Sequence, residues 1–111
     1  MNILTATSIV LDSHSGPLTT NTATIMCAAA SNTSVKVISL FIATVDGTND
    51  ADISLWDGTY HYAKNIVVPA KSTLVFATKD SPIVLEATQM LKGYASANND
   101  IEFFISWEII S

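Results

Sequence analysis

The stretch Ile101-Glu-Phe-Phe-Ile-Ser-Trp-Glu-Ile-Ile110 alternates in hydrophobicity along its length. Its odd positions are Ile101, Phe103, Ile105, Trp107 and Ile109; its even positions are mostly polar. A period of two sends successive side chains to opposite faces, so the pattern predicts a half-buried β-strand. β-Branched and aromatic residues dominate it, and neither Gly nor Pro interrupts it, which suits the interior of a sheet. Phe104 and Ile110 break the polar face. They mark it as a face that meets something further, either a covering loop or another subunit.

The same reading applied from the N-terminus predicts a strand beginning at Ile3 and ending at Leu11, then a turn over Asp12-Ser-His-Ser-Gly-Pro17. Asp and Ser bond local backbone, Gly relaxes φ and Pro fixes it. Strands follow at Thr22–Ala29, Val35–Val45 and Asp50–Trp56. Asp57-Gly58 predicts a two-residue hairpin turn with positive φ, and Tyr60 and Tyr62 alternate with His61 on the returning strand. Ile66–Val68, Thr73–Thr78, Ile83–Leu85 and Lys92–Ala97 continue the series, separated by Pro69-Ala-Lys71, Lys79-Asp-Ser-Pro82 and Asn98-Asn-Asp100. Glu86–Leu91 is the one segment where a helical turn competes. Short strands with turn signals about every ten residues predict an all-β fold: a single-domain antiparallel β-sandwich or jelly roll of about eight strands.

Composition narrows the function classes. The chain has 111 residues, which suits one domain. Charged residues make up 14%, and the net charge is −5. Every basic residue is a lysine. Phosphate and base-edge recognition lean on arginine forks and clustered positive charge, so neither nucleic acid nor an anionic membrane is expected as a partner. The start Met1-Asn-Ile-Leu4 has no basic region before an apolar core, so no signal peptide is expected, and no apolar run reaches membrane-span length. Cys27 is the single cysteine; with Ile25 and Ala29 two residues to either side, it reads as a small core residue.

The candidate chemistry is thin. Asp12, Ser13 and His14 are adjacent, whereas a nucleophilic triad converges from separate segments. Asp46-Gly-Thr-Asn-Asp-Ala-Asp52 gathers oxygen donors that calcium prefers, yet its order does not match an EF-hand loop; a hairpin loop satisfying its own amides is the simpler reading. His14 and His61 lack the paired spacing of a zinc site. The expectation is no enzyme, no metal and no cofactor. Trp56, Tyr60 and Tyr62 are candidate glycan contacts by stacking, and Trp107 belongs to the core face of its strand.

Several segments together resemble a known group. They are Asn21-Thr-Ala-Thr-Ile-Met26, Ser34-Val-Lys-Val-Ile-Ser-Leu-Phe-Ile-Ala-Thr44 and Asp52-Ile-Ser-Leu-Trp-Asp-Gly58. Tyr62-Ala-Lys-Asn-Ile-Val-Val-Pro-Ala-Lys-Ser-Thr-Leu74, Ser81-Pro-Ile-Val-Leu-Glu86 and the run from Ala95 to Ser111 complete the set. In order, they resemble the small β-sandwich structural proteins of tailed bacteriophages, such as those of cyanobacteria. The resemblance implies a virion component that acts through interfaces, first a capsid decoration (cement) protein. The alternatives are a neck, tail or fibre-attachment subunit, or a glycan-binding host-recognition module. Its partners would be the major capsid protein or neck and tail proteins. The low-charge, hydroxyl-rich surface adds an expected homo-oligomer with Phe104 and Ile110 at the interface, and the resemblance, with the threefold positions of a capsid lattice, implies a trimer first.

Overall fold

The computed structural model describes residues 8–20 and 22–111, so the predicted strand from Ile3 is covered only from Ser8 onward. Among the described residues nine strands follow in order: β1 Ile9–Pro17, β2 Thr24–Ala28, β3 Ser34–Thr44, β4 Ala51–Trp56, β5 His61–Val68, β6 Thr73–Ala77, β7 Ile83–Leu85, β8 Met90–Ala95 and β9 Ile101–Ile110. One sheet, here sheet A, has the order β1-β9-β3-β6, with β7 also on β3; sheet B has the order β2-β8-β4-β5. All pairings are antiparallel. The chain passes back and forth between the sheets, which gives the jelly-roll arrangement.

The core lies between the sheets. Ile101, Phe103, Ile105 and Trp107 of β9 point into it, as the alternation predicts, and meet Ile53 and Leu55 of β4 and Leu91 of β8 in one buried cluster. β3 enters the core with Val35 and Val37, then with Leu40 and Ile42. The switch from odd to even positions comes from an irregularity in its pairing with β9 between Val37 and Ser39. An extra residue in one strand moves every later side chain to the other face. Buried hydroxyls are paired: Thr44 Oγ1 donates to the Val68 carbonyl at 2.9 Å, and Ser54 Oγ accepts the Asn65 N–H at 3.0 Å. Asn65 has φ 53°, the extra residue where β5 bulges against β4.

Two local expectations change, and one segment left open between two conformations is decided. Asp12–Pro17 is the second half of β1, paired residue for residue with β9 from His14↔Ile105 to Pro17↔Glu102. β1 lies at the edge of sheet A, where a terminal Pro removes no ladder bond that a second neighbour would need. The hairpin after β4 has four residues: the Asp57 N–H donates to the Tyr60 carbonyl at 2.9 Å, and Gly58 takes the predicted positive φ, 100°. Tyr60 is therefore in the loop, before the returning strand. Finally, Glu86–Gln89 forms a β-turn, with the Gln89 N–H donating to the Glu86 carbonyl at 3.0 Å and Thr88 at φ 70°. Long-range bonds there outcompete a helical turn: the Thr88 N–H donates to the Ala29 carbonyl, and the Ala29 N–H to the Gln89 carbonyl.

Candidate interaction surface

The outer face of sheet A carries an apolar row that spans the sheet. On β9 the even residues face out, so Phe104 is presented. The shifted pairing of β3 turns Phe41 to the same side, and the register sets Phe41 directly opposite Phe104. On the other side of Phe104 stands Ser15 of β1, and beyond Phe41 stands Val75 of β6. Phe104 is 46% exposed, Phe41 40% and Val75 48%. Three large apolar side chains on adjacent strands thus form one continuous strip open to solvent.

The neighbouring rows suit burial against a protein. Ser39 and Ser106 face each other and share a hydrogen bond between their hydroxyls, with Ser13 beyond on β1. The next row sets Lys36 opposite Glu108, flanked by the exposed Leu11 and Val84. Opposite charges side by side leave this part of the face close to neutral, and paired hydroxyls cost little to desolvate. Phe41 and Val75 were not legible as surface residues in the sequence, because the bulge that aims Phe41 outward leaves no local trace. Ile110, anticipated at an interface, is only 4% exposed. Its register neighbours are Ile9 of β1 and Ser34 of β3, and its burial means that it is not presented to a partner.

The outer face of sheet B carries a second row, Ile25, Lys92, Trp56 and His61, aligned across β2, β8, β4 and β5. The His61 ring stacks on Trp56 with centroids 5.4 Å apart and planes 21° apart. Tyr94 meets the indole edge-on at 6.4 Å, and Lys92 Nζ stands 5.7 Å from its centroid. The indole Nε1 is buried without a hydrogen-bond partner. Trp56 is thus already engaged, and its ring contacts are with His61 and Tyr94. Tyr60, exposed in the hairpin loop, and Tyr62, half-exposed on β5, are not part of that stack. Burial and the nearby Asp57 push the Tyr62 hydroxyl pKa up.

The remaining polar residues serve the local backbone. Asp46 accepts the Thr48 N–H at 2.8 Å and the Asn49 N–H at 3.3 Å, which hold its carboxyl pKa below the usual range. Asp50 Oδ1 accepts the Ala70 N–H at 2.9 Å. Asp57 caps its own hairpin through the Tyr60 and Thr59 N–H groups, and its pKa is lowered for the same reason. Among the described residues, no three His, Cys, Asp or Glu side chains form a metal-ligand group. The strand geometry of β1 sends Ser13 to the opposite face from Asp12 and His14, and the His14 ring lies against Phe103 at 5.4 Å. These three residues cannot converge on one substrate atom.

Cys27 is buried, and desolvation, with a smaller contribution from the Asp12 charge, pushes its thiol pKa up to about 12. The thiolate is the reactive form. In native protein at pH 8, iodoacetamide should therefore label Cys27 slowly, and unfolding in denaturant should make labelling fast. Equal rates in both conditions would contradict the buried placement.

No protein-family model matches the chain, and no curated protein matches it. It is similar to a solved structure from work describing Bacillus endospore appendages as a novel family of disulfide-linked pili. The TM-score is 0.52, with 17% identity over 93% of this chain and 88% of that chain. At that identity the likeness is one of fold.

Proposed function

We propose that this chain is a structural subunit of a tailed-phage virion, first a decoration protein that braces the head and otherwise a neck, tail or fibre-attachment subunit. The observation that carries the reading is the exposed Phe104–Phe41–Val75 row on a face with few charges. Such a face gains by burial against another protein and offers no catalytic constellation. The phage context comes from the sequence resemblance. The fold likeness to a pilus protein supports an assembly subunit in general, and it favours the neck, tail or appendage variant as the second reading. A decoration protein binds the assembled shell and not its separated parts, so it stabilises the shell by mass action. A trimer at local threefold positions suits that role.

Phe104→Glu tests the reading. A carboxylate placed in a closed interface without a partner costs several kcal/mol, so binding to particles should fall by roughly a hundredfold or more. Folding should be unchanged, because Phe104 is half-exposed. Co-sedimentation with capsids and with tails, alongside light scattering of the free protein, measures both. A chain that stays monomeric at high concentration and sediments with neither particle would remove the reading.

A further inference from the structure

We propose that copies of this chain join edge to edge, with β1 of one copy adding to β5 of the next, so that sheet A of the first continues into sheet B of the second. The inference rests on the reading of the chain as an assembly subunit and names how the copies meet. β1 ends sheet A and β5 ends sheet B, and no described strand pairs with the outer edge of either. Strands at a sheet edge present free N–H and C=O groups that template further pairing. Both strands are exposed on both faces over most of their length. Each carries apolar residues in water: Ile9, Val10 and Leu11 on β1, and Ile66 and Val67 on β5. An edge strand apolar on both faces is what an added neighbouring strand would cover.

The side chains fit in one antiparallel register. Setting Val10 opposite Val67 places Leu11 against Ile66. Asn65 is the bulged residue of β5, so the extra position is absorbed there, as it is against β4. Asp12 then stands against Lys64, an exposed acid against an exposed base. Apolar residues meet apolar residues, and the opposite charges pair across the strands. A symmetric β5–β5 pairing centred on Lys64 would instead bring two ammonium groups together. The contact joins two different surfaces of one chain, so it propagates head to tail and closes into a ring when the rotation permits.

Two chains, one carrying Asp12→Cys and one Lys64→Cys, test the contact. Directly opposed residues in antiparallel strands have Cα atoms about 4.5–5.5 Å apart, within disulfide range. Under mild oxidation, the mixture should give a mixed disulfide between the two chains, while neither chain alone should cross-link. Cys27 is buried and does not compete. In parallel, Asp12→Lys and Lys64→Asp should each weaken self-association roughly tenfold, and the double variant should recover most of it. All three variants should keep the β-sheet circular dichroism signal of the parent, since both positions are exposed. Self-linking of the Asp12→Cys chain would overturn the proposal in favour of β1 pairing with β1. Assembly that persists with no mixed disulfide and no effect of charge reversal would overturn it while leaving the assembly reading intact. A parent chain that never self-associates and never binds particles would overturn both.

Discussion

Ile105→Ala should destabilise the fold by about 2–5 kcal/mol, the range for truncating a large side chain in a packed core. Ile105 is fully buried in the centre of β9, paired with Leu40 of β3 on one side and His14 of β1 on the other. Its removal leaves a cavity between two sheets that cannot close without moving the central strand of sheet A. Trp107→Ala, two residues along the same face, should fall in the same range. A domain this size has roughly 5–15 kcal/mol in total, so either change removes a large share. Denaturant titration measures the loss. Phe104→Ala, the intervening residue on the opposite face, serves as the internal comparison and should cost about 1 kcal/mol or less, because that ring is half in water. Equal losses at Ile105 and Phe104 would mean that the two faces of β9 are not distinguished as described.

Gly93→Val should also destabilise strongly, by about 1–3 kcal/mol and through the opposite fault, overpacking. Gly93 is buried in β8, between Thr24 of β2 and Leu55 of β4. A Cβ there would stand 2.8 Å from Met26 Sδ, 3.3 Å from Leu55 Cδ2 and 3.6 Å from Leu18 Cδ1. All three neighbours are fully or almost fully buried, so a branched side chain has nowhere to go. Met26 is the flexible member of the three. Shortening it with Met26→Val in the Gly93→Val background should recover part of the loss, and a double-mutant cycle would read that coupling. Strict additivity would show that the strain is relieved elsewhere.

The outer face of sheet A is close to neutral and bears paired hydroxyls, and on sheet B Trp56 is stacked against His61. Sugar stacking needs an open aromatic face. On Trp56 the stacked His61 ring and the edge of Tyr94 already occupy the surroundings of the indole. Tyr60 and Tyr62 are both exposed to solvent outside that stack.

The sequence by itself determined the class of fold, the inward face of β9 and the positive φ at Gly58. Each depends on neighbours within a few residues: a period of two in β9, and an Asp-Gly pair in a tight loop. Cys27 lies in the core as expected, but not by the alternation with Ile25: a bulge between Ile25 and Cys27 buries Met26 and Cys27 together and leaves Ile25 exposed on the outer face. Only the tertiary structure decided which apolar residues face water. A bulge in β3 reverses its inward set after Val37, which is what brings Phe41 beside Phe104 on the outside. The register between strands far apart in sequence aligns Val75 with them, and Ile110, on the nominally polar side of the alternation, is buried. Asp12–Pro17 has the composition of a turn and becomes an edge strand because β9 offers nine consecutive partners for β1. Local pattern reports a strand and its two faces. The sign of each face, and the neighbour it meets, is set by long-range pairing that no short window of sequence contains.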